Sequence, residues 1–159
     1  MSKNLVTYFS ASGVTKEAAQ RLAKAVSADI AEITPVEPYS TADVDWRNPD
    51  SRASKENADT SARPEIKDLT ANVADYDTVF VGFPVWWNVE PRAVDTFLEK
   101  YDFSGKRVVP FATSGGSTID GSVERVKSVV KGATVTSGKV IVAQDGDDDI
   151  KNWADTVLG

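Results

Sequence analysis

The first indication of the fold is the segment Leu5-Val6-Thr7-Tyr8-Phe9-Ser10-Ala11-Ser12-Gly13-Val14-Thr15. Its apolar part, residues 5–9, is typical of a buried strand. From residue 14 onward apolar side chains recur at every fourth position (Val14, Ala18, Leu22, Val26), which predicts one stripe of an amphipathic helix. The strand therefore passes into the helix through a short turn that is rich in hydroxyl groups.

The same alternation of strand and helix continues to the end of the chain. Further strands are predicted at residues 30–33, 78–81, 107–112 and 140–142, with helices around residues 94–101, 119–130 and 150–157. This order predicts an α/β fold with a parallel sheet and helices on both faces. Pro110 has no N–H to give to a neighbouring strand, so we expect a bulge or an unpaired position there. The length of 159 residues predicts a single domain over 1–159.

Composition excludes several kinds of chemistry. The chain has no histidine and no cysteine, which excludes imidazole and thiolate metal sites and any histidine-based triad. A carboxylate site for a hard cation stays open, but no sequence pattern suggests one. The net charge of −6 argues against nucleic acid as a partner. Lacking cysteine and any apolar run of membrane-spanning length, the chain is expected to be cytoplasmic, with no membrane partner.

The turn after the first strand is a candidate phosphate site. Ser10, Ser12 and Thr15 offer hydroxyl groups, and Gly13 lets the backbone approach a ligand closely. The helix that begins here adds unpaired N–H groups and the positive end of its dipole. In the alternative interpretation Ser12 only caps the helix.

Two further segments follow predicted strands at the same edge of the sheet. Gly82-Phe83-Pro84-Val85-Trp86-Trp87-Asn88 contains adjacent tryptophans, one of which a flat aromatic ligand would cover. Alternatively, one tryptophan lies in the core and the other under a loop. Thr113-Ser114-Gly115-Gly116-Ser117 is either a flexible turn or a backbone that lies against a ligand. Together with the first turn, these segments fit one ligand that has a phosphate and a flat ring system.

These three segments resemble the flavodoxin family. Ser10-Ala11-Ser12-Gly13-Val14-Thr15 is similar to its phosphate loop, and Pro84-Val85-Trp86-Trp87 and Thr113-Ser114-Gly115-Gly116-Ser117 are similar to the flavin loops of a short bacterial branch. The resemblance covers essentially the whole chain. It implies a flavodoxin-like three-layer sandwich with a five-stranded parallel sheet in the order 2-1-3-4-5, FMN as the cofactor, and electron transfer as the activity. By this resemblance, residues 10–15, Pro84, Val85, Trp86, Trp87, Asn88 and residues 113–117 contact the cofactor.

Three functions are compatible with the sequence. In the leading hypothesis the protein is an electron carrier whose negative charge attracts the basic faces of a reductase and an acceptor. A second hypothesis is an FMN-dependent NAD(P)H:quinone reductase or nitroreductase on the same fold. A flavin-free signalling receiver is a third, but it needs acidic residues where this chain has Ser10-Ala11-Ser12 and a phosphate acceptor where it has Pro84-Val85.

The connection over residues 35–64 is longer than a compact domain requires. It is polar but carries Tyr39 and Trp46, which favours an ordered segment over a disordered one. The short bacterial branch has a loop similar to Asp45-Trp46-Arg47-Asn48-Pro49-Asp50-Ser51-Arg52. We therefore expect Trp46 to pack against the flavin edge or the Trp86-Trp87 segment.

Overall fold

The computed structural model describes residues 3–11, 13–45, 47–86, 90–114 and 118–158. Its strands are β1 (Asn4–Tyr8), β2 (Asp29–Glu32), β3 (Thr78–Pro84), β4 (Arg107–Thr113), β5 (Thr134–Val135) and β6 (Lys139–Val140). Its α-helices are α1 (Val14–Val26), α2 (Arg52–Ala58), α3 (Arg92–Lys100), α4 (Asp120–Val129) and α5 (Asp147–Leu158). Short 3₁₀ helices cover Ala42–Val44 and Val73–Asp75. None of the helices described here is long and apolar enough to cross a membrane.

The sheet is parallel and has the predicted order. The strands lie side by side in the order β2-β1-β3-β4-β5, and β6 pairs with the C-terminal half of β4. β5 and β6 thus share the fifth position, and the 2-1-3-4-5 arrangement is confirmed. Strand order reverses between β1 and β3, because the chain runs outward from β1 to β2 and then crosses back to β3. In open α/β sheets ligands bind beyond the carboxyl ends of the strands at such a point.

Both faces of the sheet are covered by helices. Successive side chains of a strand point to opposite faces, so Leu5 and Val79 enter one core cluster while Val6 and Phe80 enter the other. Helices α3 and α4 supply the first cluster, and α1 and α5 supply the second. The result is the expected three-layer arrangement.

Pro110 pairs with Val81 of β3 on one side of β4, and on the other side it lies between the positions that pair with β5 and with β6. The carbonyls of Val108 and Ala112 accept hydrogen bonds from Thr136 and Ile141, on the side of β4 that faces β5 and β6. Residues alternate along a parallel strand, so the nitrogen of Pro110 faces this same side. The described pairing on that side ends with β5 and resumes with β6, so the missing N–H of Pro110 falls in the gap between the two strands.

The bounds predicted for the fifth strand are wrong. The residues that pair with β4 belong to β5 and β6, whereas the prediction placed the strand at residues 140–142. Beyond β6, the N–H of Ile141 still donates to the carbonyl of Ala112 at 2.8 Å. The N–H of Val142 instead donates to the carboxylate of Asp145 at 2.9 Å, because the chain already turns toward α5 here. β5 has two residues and no apolar run long enough to predict it.

The described part of the 35–64 segment contains regular secondary structure. An antiparallel bridge between Pro35 and Ile66 joins its two ends. The segment contains the unpredicted helix α2, where the Ser51 hydroxyl at the N-cap accepts a hydrogen bond from the N–H of Ser54.

Candidate functional site

An open cavity of about 460 Å³ lies at the carboxyl edge of the sheet. This volume is within the range of roughly 300–1,000 Å³ that is usual for small-molecule sites. The segments after β1, β3, β4 and β6 all contribute to it, and the residues that line it are Val14, Pro84, Val85, Trp86, Thr113, Ser114, Ile141, Val142, Ala143 and Gln144. The three segments selected from sequence therefore meet at one cavity, and residues 141–144 add a fourth wall that was not predicted.

The turn between β1 and α1 enters the helix through a left-handed glycine. Gly13 is the N-cap residue and is left-handed, with φ 93° and ψ −13°, a conformation that favours glycine. Its N–H donates to the hydroxyl oxygen of Ser10 at 3.0 Å. A Cβ built at Gly13 would meet no atom within 4 Å, so the space in front of the helix is open. Ser12 lies outside the described residues.

Two threonine hydroxyls tie this turn to β4. The Oγ1 atoms of Thr15 and Thr113 are 2.7 Å apart and share a buried hydrogen bond. The carbonyl of Thr113 in turn accepts the N–H of Val85 at 2.9 Å. The hydroxyl of Thr15 therefore helps to fix three of the cavity segments relative to one another.

Trp86 stands between the cavity and the protein interior. It is half-buried, and its ring lies 5.8 Å from Phe9 at 89° and 5.8 Å from Tyr39 at 58°. These are the edge-to-face and tilted geometries that aromatic pairs favour. Trp87 and Asn88 lie outside the described residues, as do Gly115, Gly116 and Ser117.

The 35–64 segment reaches the site through Tyr39. Trp46, which was expected to do so, lies outside the described residues. No role at the site was predicted for Tyr39, although it is the other aromatic residue of this polar segment. Tyr39 contacts Trp86 and Phe9 but is not among the described residues that line the cavity.

A buried charged cluster lies where the β3–α3 connection enters α3. Glu90 Oε1 is 3.0 Å from Arg125 Nε, and Asp95 Oδ2 is 3.2 Å from Arg125 Nη2 and 3.5 Å from Arg92 Nη1. Burial and the adjacent Asp95 carboxyl raise the pKa of Glu90 to about 9, so Glu90 is neutral at physiological pH. This cluster was not predicted from the sequence, because an acidic residue before Pro91 is ordinary at the start of a helix.

The fourth wall is held in place by Arg21 of α1. Its guanidinium donates to the carbonyl of Val142 at 3.3 Å and to that of Asp145, and it lies 3.5 Å from the carboxylate of Asp147. Val142 is 38% exposed and Val14 is 59% exposed, so apolar side chains from two walls lie open at the cavity. The exposed acidic residues that open α5 follow directly.

Comparison with known proteins found a matching family and several similar structures. A model of the flavodoxin family matches residues 3–157. A provisionally assigned flavoprotein from Bacteroides eggerthii is 42% identical, covering 100% of this chain and 99% of that one, with a TM-score of 0.94. Another from Bacteroides uniformis is 40% identical, covering 97% and 98%, with a TM-score of 0.91. A flavoprotein from Lactobacillus acidophilus in complex with FMN is 24% identical, covering 97% and 99%, with a TM-score of 0.74. Among curated proteins, none matches the sequence.

Proposed function

Because this chain belongs to the flavodoxin family, we propose that it binds FMN in the cavity described above and transfers electrons between redox proteins. One observation carries the proposal. Val14 at the start of α1 and the segments after β3 and β4, which the sequence indicated as parts of the phosphate and ring loops, line a single cavity of about 460 Å³. The FMN complex of the Lactobacillus acidophilus relative supports the choice of cofactor.

The phosphate group fits the turn formed by residues 10–15. The N-terminus of α1 offers unpaired N–H groups and a positive dipole end. Ser10 accepts the N–H of Gly13 and keeps its own hydroxyl proton, which it can donate to a phosphate oxygen. Gly13 keeps the approach open because no Cβ fills it, while Thr15 holds the turn against β4. We also assign Ala11, Ser12 and Val14 to this part of the site.

The ring system fits between the segments after β3 and β4. We assign Pro84, Val85, Trp86, Trp87 and Asn88 to one side, and Thr113, Ser114, Gly115, Gly116 and Ser117 to the other. Bound FMN supplies one- or two-electron redox chemistry. The task of the chain is to hold the ring, to exclude water from it with the indole of Trp86, and to set the charge around it.

Acidic residues lie beside one wall of this site, and we infer the kind of redox partner from this charge. The chain has a net charge of −6, and Asp147, Asp148 and Asp149 open α5 beside the 141–144 wall. This charge disfavours an anionic reduced flavin and lowers the corresponding potential. It also attracts a cytoplasmic reductase and acceptor that present basic faces.

Titration of the apoprotein with FMN and with riboflavin tests the cofactor assignment. Each charge-assisted hydrogen bond to the phosphate contributes roughly 1.5–3 kcal/mol, so the loss of two weakens riboflavin binding by at least about 100-fold. Ser10→Ala should weaken FMN binding and leave riboflavin binding unchanged, so the ratio of FMN affinity to riboflavin affinity should fall. Riboflavin affinity within a few-fold of FMN affinity in the wild type would contradict the assignment.

A second assay separates the carrier from an enzyme. Purified holoprotein is mixed with NAD(P)H and a quinone, with and without an added flavodoxin reductase. A carrier consumes NAD(P)H only when the reductase is present. Sustained consumption without it would instead show an NAD(P)H:quinone reductase on this fold.

A further inference from the structure

We propose that Tyr39 is a positioning residue of the flavin site: it fixes the indole of Trp86, and the 35–64 segment is the structure that holds Tyr39 in place. The inference rests on the proposed function in that it takes the cavity to be the flavin site. Tyr39 acts through Trp86, because Trp86 lines the cavity and Tyr39 does not.

The first step is the packing around Trp86. Tyr39, Phe9 and Trp86 form a three-way aromatic cluster, with Tyr39 and Phe9 rings 5.4 Å apart at 75°. Phe9 is buried at the end of β1 and cannot move without disturbing the core. Tyr39 therefore supplies the second support of the indole, and it comes from outside the regular sheet.

The second step is the way Tyr39 itself is held. The guanidinium carbon of Arg52 lies 3.8 Å from the Tyr39 ring centroid, close enough for a strong cation–π contact. The Tyr39 hydroxyl donates to the carboxylate of Glu56, which also accepts Arg52 Nε at 3.0 Å. Burial and the Glu56 carboxylate raise the pKa of Tyr39, so its hydroxyl stays a donor over the working pH range.

The third step connects helix α2 back to the same site. The buried guanidinium of Arg92 donates to the carbonyls of Glu56 at 3.1 Å and Asn57 at 2.9 Å, near the C-terminal end of α2. Arg92 begins α3, directly after the β3–α3 connection that carries Trp86. Arg92 thus contacts α2, α2 holds the hydroxyl of Tyr39, and Tyr39 packs against Trp86.

This arrangement accounts for the length of the 35–64 segment. A shorter crossover from β2 to β3 could not carry both Tyr39 and the helix that holds its hydroxyl. Without Tyr39 the indole of Trp86 loses one support and can turn away from the cavity. Flavin affinity then falls, and the quenching of flavin fluorescence by the indole weakens.

The test compares Tyr39→Leu, Tyr39→Phe and the control Tyr101→Leu. Tyr101 is also half-buried, packs on Phe97 at 5.4 Å, and accepts a backbone hydrogen bond from Leu69, but it does not line the cavity. Tyr39→Leu should weaken FMN binding about tenfold and raise the emission of bound flavin. Tyr39→Phe retains the ring contacts and loses only the hydrogen bond to Glu56, so it should restore most of the FMN affinity and of the quenching, and Tyr101→Leu should change neither.

If folded Tyr39→Leu binds FMN with the affinity of the wild type and its bound flavin has the emission of the wild type, the positioning role is overturned. If the wild type does not bind FMN, the proposed function is overturned instead. The positioning of Trp86 by Tyr39 is then tested on the apoprotein. In the apoprotein, the near-ultraviolet circular dichroism spectrum of Trp86→Phe is subtracted from that of the wild type, and the difference is the signal of Trp86. Loss of this signal in the Tyr39→Leu background supports the positioning role, and its persistence overturns it.

Discussion

Replacement of Glu90 by glutamine should remove most of the pH dependence of stability between pH 6 and 9. The pKa of Glu90 is about 9 in the folded protein, against 4.5 for the free side chain. Between these values the folded state holds a proton that the unfolded state releases, so the free energy of unfolding falls as pH rises and levels off above about pH 9. One such proton changes the free energy by about 1.4 kcal/mol per pH unit, or about 2.7 kcal/mol from pH 6.5 to 8.5.

The chain is well suited to this measurement. With no histidine and no cysteine, only the α-amino group otherwise has an ordinary pKa in this window. Carboxyls with lowered pKa values, such as Asp59 and Glu99, are ionised in both states above pH 6 and add no slope. The charged groups that face Glu90 are Asp95 from α3, Arg125 from α4 and Arg63 from the 35–64 segment, and the two guanidinium groups oppose the shift without cancelling it.

The assay is urea unfolding of the apoprotein, followed by tryptophan emission at several pH values. The amide of Glu90→Gln resembles the protonated carboxyl and does not titrate, so the stability of this variant should stay flat between pH 6.5 and 8.5 and should exceed that of the wild type by a margin that grows with pH. Glu99→Gln, which removes an exposed partner of Arg63, should retain the wild-type slope. A flat wild-type profile, or an equal slope in Glu90→Gln, would refute the assignment of this proton.

Three further substitutions have defined outcomes. A Cβ at Gly82 would lie 2.1 Å from Phe111 Cζ, so Gly82→Ala should lower the urea-derived stability by about 1–3 kcal/mol; an unchanged midpoint would contradict the packing. Gly13→Ala forces a side chain into a φ of 93° and should cost about 1–2 kcal/mol of stability, measured in the same way, and weaken FMN binding in titration. Trp86→Ala should cost about 1–3 kcal/mol of FMN affinity and raise flavin emission, and no change in either would remove Trp86 from the ring site.

The sheet was predictable because its signals are local. Helix α1 begins at Val14 and ends at Val26, as the four-residue spacing of apolar side chains indicated. Parallel order followed from the alternation of strands and helices. The fifth strand was misplaced because the apolar run at residues 140–142 continues into a turn that Asp145 and Arg21 stabilise, and no local pattern reveals that turn.

The site was predictable to the extent that its chemistry lies in contiguous residues. The Ser10–Gly13 hydrogen bond spans three positions and is visible as a hydroxyl-rich turn. In contrast, Arg21 reaches Val142 across 121 positions, and the hydroxyl of Thr15 pairs with that of Thr113 across 98. Such contacts depend on sheet order, which brings distant strand ends together, and a single sequence does not display them.

The polar composition of the 35–64 segment illustrates how one signal can have two physical causes. Its arginines and glutamates are typical of a solvated loop. In the structure, however, Arg52 and Glu56 pair with each other and with Tyr39, and the carbonyls of α2 receive the buried Arg92. A charge left unpaired in this half-buried position would be costly, so each of these side chains requires the others. The length and charge that suggested a loop over the site are therefore the requirements of a network that supports one aromatic wall of the cavity.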